Sequence, residues 1–407
     1  MKKLLYLSYD GLLDQLGGSQ ILPYLVHSTD IFSKIKIISF EKKDKTAEEI
    51  SILKETLVRK NISWHHFKFS YRLGVLGKIF DLIKFYTGVL VLMLFFRPNI
   101  IHSRGHIAAG VGAKLSVFFR KKHIFDFRGL WADEKVDKGG WDLQNHLERI
   151  MYLYYKRKER VSLQKSTSIV VLSEKMLEEL PRISNTNAKV SVIPCCTDFN
   201  LFKILKKRDL VSVYDQLGIS QDDFVFGYIG SIGKMYRLDL FFELISAHRN
   251  KLSSTKGLII TNDLDLAKVE LDKAAIKYPN LENSIRIISS KREKIPDYIN
   301  ILKMSVAFIE PSYARIASSP TKIGESLACG IPVISNYGVG DIANHIKDKN
   351  LGIIVDINKN DPVRDCIKSL YNYSFTNREI IRNNASEIYN LEIAVKRYRN
   401  IYNSLLD

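Results

Sequence analysis

Short apolar runs rich in β-branched residues alternate along this chain with segments of helical periodicity, and the alternation occurs in two series. The candidate strands of the first series cover residues 4–8, 35–40, 63–67, 100–103, 124–127, 169–172 and 190–193. Those of the second cover residues 224–228, 257–261, 285–288, 306–309, 333–335 and 352–355. Because this alternation is typical of βα units with a mostly parallel sheet, the sequence predicts an α/β protein with two doubly wound, Rossmann-like domains.

The two series are separated by a segment without strand signals between Pro194 and Phe224. We therefore predict an N-terminal domain over residues 1–198, a C-terminal domain over residues 199–387 and a final helix over residues 388–407 that packs back onto the first domain. In a protein with two such sheets, ligands are expected between the sheets, at the carboxyl ends of the strands.

The net charge of +17, from 61 Lys and Arg against 44 Asp and Glu, predicts anionic partners. Phosphorylated small molecules, nucleic acid and an anionic membrane all fit this charge. Nucleic acid is disfavoured because the aromatic residues do not interleave with basic ones in an RNA-binding motif. The four cysteines show no metal-ligand spacing, so we expect free thiols in a reducing, cytoplasmic location.

Peripheral attachment to the inner face of the cell membrane is a second hypothesis. The apolar run from Thr87 to Phe96 is too short to span a bilayer. The predicted helix from Val75 to Phe96 and the basic runs Arg120–Lys122 and Lys156–Lys158 could instead lie on an anionic surface.

A segment from Ser318 to Ser335 carries the most informative motif. Ser319 is predicted to cap a helix with Pro320 at its first position, so that the helix start offers its amides to a phosphate. Lys322 lies in the first turn and Glu325 one turn later, where a carboxylate can take ribose hydroxyls. The alternative is a Glu325 that is merely paired with a lysine.

One glycine-containing loop follows the first strand of each series. The loop after the eighth strand contains Gly230 and Ser231 with Lys234 and Arg237, and two cations suit a diphosphate leaving group. The loop after the first strand contains the pair Gly17-Gly18, which could approach a phosphate closely. A solvated basic loop and an ordinary turn are the respective alternatives.

Charged and aromatic residues cluster after the fourth and fifth strands. The set after the fifth strand suits acceptor or sugar binding, and its alternative is a buried ion-pair network. The set after the fourth strand could also face the cleft, and its alternative is a purely structural histidine. The candidates after the fourth strand are Arg104 and His106, and those after the fifth are Asp126, Arg128, Trp131, Asp133 and Glu134.

These motifs resemble the family-4 retaining glycosyltransferases, the glycogen-synthase-like group with the GT-B fold of two Rossmann-like domains that face each other across a cleft. The resemblance covers the Gly17-Gly18 loop, Ile193-Pro194 with Asp198 and Phe202, the Gly230 loop and above all Pro320 to Ile334. The segment from Asp126 to Trp141 resembles a bacterial subgroup associated with surface polysaccharide assembly.

The resemblance implies site residues and also shows where this chain departs from the family. Glu325 would hold the ribose, but Ala317 stands where the family has its first glutamate, so Ser318, Ser319 or backbone amides would replace that contact. Ser231 replaces a usual arginine, and Arg128 replaces a cleft histidine whose work His106 or Asp126 would share. The implied nucleotide-sugar site comprises Gly17, Gly18, Gly230, Ser231, Lys234, Arg237, Ser318, Ser319, Thr321, Lys322 and Glu325.

The resulting hypothesis is a retaining transfer of a hexose-type sugar from a nucleoside diphosphate sugar to a glycan or lipid-linked acceptor. Lys322, Arg237, Arg128, Asp126 and His106 are the candidate catalytic residues. The phosphate site lacks an Asp-x-Asp pair or a His/Cys cluster, so we expect neither a metal nor another cofactor. A sugar-nucleotide epimerase on the same scaffold and a non-catalytic sugar-binding paralogue are the alternatives.

Overall fold

A computed structural model of the chain describes residues 2–70 and 74–407. These residues form two compact units. The N-terminal unit contains the described residues up to Pro194 together with Leu391–Asp407, and the C-terminal unit contains Cys195–Asn390. The sequence prediction put the boundaries after residues 198 and 387. The difference arises because the N–H of Thr197 donates to the carbonyl of Tyr389 at 2.8 Å, which ties this segment to the C-terminal unit.

The N-terminal unit has a seven-stranded parallel sheet in the order β3-β2-β1-β4-β5-β6-β7. Strands β1, β4 and β6 are almost wholly buried, as expected for a sheet covered by helices on both faces. The strands are β1 (Lys3–Ser8), β2 (Lys34–Glu41), β3 (Ile62–Lys68), β4 (Ile100–Arg104), β5 (Lys122–Asp126), β6 (Ser168–Val171) and β7 (Lys189–Val192).

The helices of this unit connect the strands as βα units require. They are α1 (Gln15–Gln20), α2 (Leu22–Val26), α3 (Ala47–Val58), α4 (Gly74–Phe95), α5 (Gly105–Phe118), α6 (Trp131–Asp137), α7 (His146–Lys165) and α8 (Glu174–Ile183). Helix α3 begins with a capping box, in which Thr46 and Glu49 satisfy each other's backbone amides. None of the described helices is long and apolar enough to cross a membrane.

The C-terminal unit has a six-stranded parallel sheet in the order β10-β9-β8-β11-β12-β13. Its strands are β8 (Phe224–Ile229), β9 (Thr255–Ile260), β10 (Ile285–Ile288), β11 (Met304–Ala307), β12 (Val333–Asn336) and β13 (Gly352–Val355). Its helices are α9 (Val211–Leu217), α10 (Leu238–Arg249), α11 (Leu264–Lys277), α12 (Ile295–Asn300), α13 (Thr321–Ala328), α14 (Ile342–Asp348), α15 (Pro362–Tyr371) and α16 (Arg378–Tyr389).

The final helix, α17 (Leu391–Leu406), packs within the N-terminal unit. The buried Tyr402 hydroxyl lies 2.8 Å from Nδ1 of His102 on β4. The ring of Tyr398 contacts the ring of Tyr24 edge to face, with the centroids 5.4 Å apart. These contacts attach the end of the chain to the sheet on which its beginning is built.

Both sheets reverse their strand order once. The reversal lies between β1 and β4 in the N-terminal unit and between β8 and β11 in the C-terminal unit. Ligands of open α/β sheets bind outside the carboxyl ends of the strands at such a point. The prediction of two doubly wound, Rossmann-like parallel sheets is confirmed.

Candidate functional site

Lys322 lies at the start of α13, and its side chain reaches the end of β8 in the C-terminal unit. Gly230 follows β8 with a φ of +122°, and a Cβ built on it would lie 3.1 Å from Nζ of Lys322. A larger residue at Gly230 would be strained and would crowd the ammonium group. The structure thus places Gly230 and Lys322, two residues of the implied nucleotide-sugar site, side by side.

The ammonium group of Lys322 is buried without a compensating partner. The residue is 9% exposed, and Nζ has no hydrogen-bond partner among the described residues. It lies 4.8 Å from the ring centroid of Tyr228 and 4.3 Å from that of Tyr236, at the distances of cation–π contacts. Burial lowers the pKa of Lys322 to about 8, although the charge of Glu325 opposes this shift. An anion bound here would remove the cost of burying the cation.

The start of α13 has no side-chain cap. Its N-cap is Pro320, so the prediction that Ser319 caps the helix with Pro320 at the first helical position is wrong. The reason is a competing contact, because the Ser319 hydroxyl accepts a hydrogen bond from the N–H of Cys195 at 3.1 Å. The hydroxyl of Ser318 accepts one from Arg315 at 3.4 Å. The amides of the first two helical residues, Thr321 and Lys322, thus offer positive partial charge to an anion, whereas the N–H of Ile323 already donates to the carbonyl of Pro320 at 3.3 Å.

The loop after β8 is anchored at its first residues. Tyr228 donates its hydroxyl hydrogen to the carbonyl of Ser231 at 2.6 Å, and the N–H of Ile232 donates to Asp263 at 2.9 Å. Lys234 is exposed and forms no ion pair among the residues that the structure describes. Lys234, one of the two predicted cations in this loop, is therefore compatible both with a diphosphate contact and with the alternative of a solvated basic loop.

Arg237, in contrast, already has carboxylate partners. Its guanidinium contacts Asp239 at 2.8 Å and Glu310 at 3.2 Å. The hydrogen bonds and charges of these two carboxylates raise the pKa of Arg237, so the residue stays cationic. The N–H of Arg237 donates to the carbonyl of Phe308 at 3.1 Å, which fixes the loop beside the end of β11. A phosphate at Arg237 would compete with two existing ion pairs.

Glu325 is buried and paired with an arginine. It is 2% exposed, and Oε1 accepts a hydrogen bond from Arg292 at 2.7 Å. The Arg292 guanidinium in turn lies 5.0 Å from the ring centroid of Phe202. Sequence reasoning considered a lysine partner and missed Arg292, which lies in a 3₁₀ turn far along the chain. This contact orients the carboxylate that was predicted to bind ribose.

In the N-terminal unit, Gly17 and Gly18 lie inside the short helix α1, so the prediction of a loop there is wrong. A Cβ on Gly17 would lie 2.3 Å from the carbonyl oxygen of Gly11, so this glycine is required by the chain's own close turn. The buried carboxylate of Glu41 accepts the N–H groups of Leu12 at 2.7 Å and Leu13 at 3.2 Å. Part of the predicted phosphate-binding turn is thus already bound to a protein carboxylate.

Asp126 forms the centre of a buried charge cluster at the carboxyl ends of β4 and β5. Its carboxylate lies 3.3 Å from Arg104, 3.4 Å from Arg128 and 3.9 Å from Nε2 of His102. Burial raises the pKa of Asp126, but the charges of Arg128 and Arg104 and the nearby His102 outweigh it, so the pKa lies below its usual range. The buried ion-pair alternative therefore describes how this cluster is held together.

His106 belongs to a second polar network, which links two predicted site residues. Its Nε2 lies 2.8 Å from Glu159, whose other oxygen is 2.6 Å from Lys156, and Lys156 contacts Asp133 at 2.8 Å. The Tyr152 hydroxyl also donates to Asp133. Burial raises the pKa of Glu159, yet His106 and Lys156 outweigh this effect and lower it. Sequence reasoning missed Glu159, because nothing local marks one glutamate on a long helix.

Aromatic rings gather beside this network. Trp131 lies 5.5 Å from Trp141 and 4.9 Å from Tyr155, measured between ring centroids, and Trp141 stacks on Tyr155 at 5.6 Å. All three residues are half-buried. Glu134 on α6 pairs with Lys138, the residue just after this helix, at 2.6 Å. The partly exposed rings offer faces of the kind that sugar rings contact.

The described residues contain no group of three or more His, Cys, Asp or Glu side chains that could hold a metal ion. None of the four cysteines forms a disulfide.

Family profiles match most of the chain. The profile described as Glycosyl transferases group 1 matches residues 214–387, and the profile described as Glycosyltransferase Family 4 matches residues 35–201. With the fold, these matches make the chain a glycosyltransferase. It is of the family-4 type with the GT-B fold. No curated protein matches the chain.

Solved structures share this fold over the whole chain. HepE of Anabaena, in complex with UDP and glucose, is 16% identical with a TM-score of 0.69, and the match covers 99% of this chain and 100% of HepE. Sucrose-phosphate synthase of Thermosynechococcus elongatus is 15% identical with a TM-score of 0.71, and the match covers 100% of this chain and 99% of the synthase. WaaG, a glycosyltransferase involved in lipopolysaccharide biosynthesis, is 13% identical with a TM-score of 0.66, and the match covers 98% of this chain and 99% of WaaG.

Proposed function

We propose that this protein transfers a sugar from a nucleoside diphosphate sugar to a glycan or lipid-linked acceptor during cell-surface polysaccharide biosynthesis, in the cytoplasm. The observation that carries the proposal is the buried, unpartnered ammonium group of Lys322 beside the uncapped start of α13. The solved complexes of HepE with UDP and with UDP-glucose support a nucleotide-sugar donor. WaaG supports an acceptor related to surface polysaccharides.

In this proposal the diphosphate binds at the start of α13. The backbone amides of Thr321 and Lys322 donate to phosphate oxygens, and the Lys322 side chain supplies a full positive charge. Glu325 accepts hydrogen bonds from the ribose hydroxyls while Arg292 holds its other oxygen. Gly230 leaves room for the phosphates and for Lys322 at the same place.

The reaction is proposed to proceed without a metal and with retention of the anomeric configuration. The acceptor oxygen forms a bond to the anomeric carbon on the face from which the diphosphate leaves, and the acceptor proton passes to the departing phosphate oxygen. Negative charge accumulates on the leaving diphosphate. Lys322 and the helix amides are positioned to stabilise this charge, which a divalent cation would otherwise do.

The donor sugar needs a carboxylate partner that Ala317 cannot supply, and we assign this role to Glu310. Ala317 is buried, and the hydroxyls of Ser318 and Ser319 already accept protein hydrogen bonds. The Glu310 side chain is 43% exposed and lies three residues beyond the end of β11, where Arg237 contacts it at 3.2 Å. It is thus a positioned carboxylate at the same sheet edge as Lys322.

The acceptor is proposed to bind in the N-terminal unit. The rings of Trp131 and Trp141 offer stacking faces, and Glu134 is a partly exposed carboxylate beside them. The His106 network fixes Asp133 and α7 behind these groups. Arg104, Asp126 and Arg128 support the carboxyl ends of β4 and β5, as described above.

Turnover of a panel of nucleoside diphosphate sugars, with and without glycan and lipid-linked acceptors, tests the proposal. We expect acceptor-dependent release of the nucleoside diphosphate. Lys322→Met should lower kcat by roughly 10²–10³, the loss typical of one charge-stabilising donor. The matched control is Lys273→Met, which changes an exposed lysine on α11 that is paired with Glu270. Equal rates for both variants would overturn the assignment of Lys322.

The same assay separates the alternatives. An epimerase would convert the nucleotide sugar without any acceptor. A non-catalytic paralogue would bind the nucleotide sugar, as seen by a thermal shift, without turning it over. A ligand at about 100 times its Kd adds about 2.7 kcal/mol of stability, so that shift is measurable.

A further inference from the structure

Helix α4 is apolar on two opposite faces. One face packs on the core of the N-terminal unit through Phe85, Val89, Met93 and their neighbours. Along the other face, exposed residues recur every three or four positions, which forms one continuous stripe. The stripe comprises Leu76, Phe80, Ile83, Thr87, Val91 and Leu94, with Ile79, Leu82 and Phe95 beside it. Phe95 is 81% exposed and Leu76 is 71% exposed.

Two neighbouring helices extend this apolar surface. Helix α5 packs against α4 on one side and α7 on the other. Helices α4, α5 and α7 connect β3 to β4, β4 to β5 and β5 to β6, and each of these connections advances toward the β7 edge of the sheet. Because such crossovers are right-handed, all three helices lie on one face of the sheet. Val117 and Phe118 at the end of α5 are 54% and 77% exposed, and the exposed apolar residues of α7 are Leu147, Ile150, Met151, Leu153 and Tyr154. We call this surface, with the exposed residues of α4, α5 and α7, the α4–α7 face.

The charges of the α4–α7 face are almost all positive. Helix α5 has no carboxylate, and the one carboxylate of α4, Asp81, is buried and paired with Lys84 at 2.6 Å. Of the two carboxylates of α7, Glu159 is buried in the His106 network, and Glu148 is half-buried at the helix start, where it accepts the N–H of Asp142. The exposed cations on and beside these helices are Lys78, Arg97, Lys114, Arg120, Lys122, Arg149, Arg157, Lys158, Arg160 and Lys165.

From this combination we infer that the α4–α7 face docks on an anionic lipid bilayer. Exposed apolar side chains in a continuous patch indicate a binding surface, and aromatic and aliphatic side chains bordered by cations suit the interface between headgroups and acyl chains. The lack of exposed carboxylates on α4 and α5 argues against a protein partner of mixed charge. The inference does not depend on the proposed sugar transfer, since it concerns a different surface.

Flotation with lipid vesicles tests the inference. The full-length protein is mixed with phosphatidylcholine vesicles or with vesicles that also contain about 30 mol% phosphatidylglycerol. We expect it to float with the anionic vesicles, to float much less with the neutral ones and to be released by high salt. A protein that stays at the bottom of the gradient with anionic vesicles at low salt would overturn the inference.

Two sets of variants locate the contact. The triple variant Phe80→Ser, Phe95→Ser and Phe118→Ser should weaken partitioning at least about tenfold, because it removes apolar area that enters the lipid. Its matched control changes three exposed apolar residues of α11, namely Leu266→Ser, Val269→Ser and Ile276→Ser. Lys78→Gln and Arg157→Gln should each weaken binding about fivefold, the factor that corresponds to about 1 kcal/mol per cation.

Readouts other than flotation keep the result interpretable. Thermal unfolding and nucleoside diphosphate binding of the triple variant should match those of the wild type, which shows that both units are intact. An equal loss of flotation in the α11 control would overturn the location on the α4–α7 face. A wild-type dimer in light scattering that the triple variant dissociates, without flotation, would assign the face to a second copy of the chain and overturn the lipid inference.

Discussion

Two buried charges at the carboxyl ends of parallel strands differ in how they are compensated. In the N-terminal unit, the Asp126 carboxylate lies within 3.4 Å of two guanidinium groups. In the C-terminal unit, the Lys322 ammonium group has two aromatic faces nearby but no hydrogen-bond partner among the described residues. A compensated buried charge is explained by the fold that holds it, whereas an uncompensated one indicates a ligand.

The comparison also applies within the C-terminal unit. Arg237 was predicted from the same kind of pattern as Lys322, a cation beyond a strand, yet it is already paired with Asp239 and Glu310. The residue type alone therefore does not identify the phosphate contact. What identifies the phosphate contact is whether the cation is already paired with a carboxylate, and only the structure shows this pairing.

The largest effect is expected for the compensated charge. Asp126→Asn keeps the size of the side chain but removes the carboxylate charge that Arg104 and Arg128 share. We expect it to lower the free energy of unfolding by about 3–5 kcal/mol in urea denaturation. The control is Asp44→Asn, whose side chain is 68% exposed and whose effect should stay below about 0.5 kcal/mol. Similar losses in both variants would contradict the comparison.

Removing the uncompensated charge of Lys322 should change the free energy of unfolding in the opposite direction. Because the pKa of Lys322 in the fold is about 8, below its ordinary 10.5, the folded protein binds this proton less well than the unfolded chain. The buried charge of Lys322 lowers the free energy of unfolding by its full amount below about pH 8. This destabilisation disappears as the pH rises through 10.5. Lys322→Met should therefore raise the free energy of unfolding of the ligand-free protein at neutral pH, by on the order of 3 kcal/mol.

Lys234→Met is the matched control for this experiment, since Lys234 is exposed. It should leave the unfolding curve unchanged. A destabilised Lys322→Met protein would mean that the ammonium group has a structural partner, and the contrast with Asp126 would fail.

The binding of the nucleoside diphosphate should depend on pH in the same range. If the ligand requires the charged lysine, then above about pH 8 Lys322 must take up a proton on binding. We expect the Kd for UDP, measured by calorimetry, to weaken about tenfold from about pH 7 to about pH 9. Lys322→Arg keeps its charge over this range and should show no such dependence. A pH-independent Kd in the wild type would show that Lys322 does not contact the phosphates.

The regular elements were predictable because their signals are local. Every candidate strand overlaps a strand of the structure, and the last four, from β10 to β13, were recognised from short apolar runs alone. Buried parallel strands are nearly continuous apolar segments, so few other structures fit them. The final helix was also predictable from its periodicity, and α17 begins three residues after the start predicted at residue 388.

The site was predictable only where its chemistry is contiguous in sequence. Lys322 and Glu325 lie on one helix, so their pattern was visible. Their partners were not, because Arg292 reaches Glu325 across 33 positions and Glu159 reaches His106 across 53. The error at Ser319 has the same origin, since its hydroxyl is occupied by an amide 124 positions away.

The smallest effect concerns Glu310, which is proposed to contact the donor sugar while it pairs with Arg237. Glu310→Gln removes a partly exposed ion pair, worth about 0.2–1 kcal/mol, and so releases Arg237. The Kd for UDP alone should therefore change by no more than about fivefold, in the direction of tighter binding. In contrast, kcat/KM for the nucleotide sugar should fall about fivefold, since the amide replaces a charged hydrogen-bond acceptor. Asp239→Asn is the matched control, because it removes the other carboxylate of Arg237 and should shift UDP binding alone. Parallel changes in both quantities for Glu310→Gln would show that Glu310 acts only through Arg237, and the donor sugar would then need another partner.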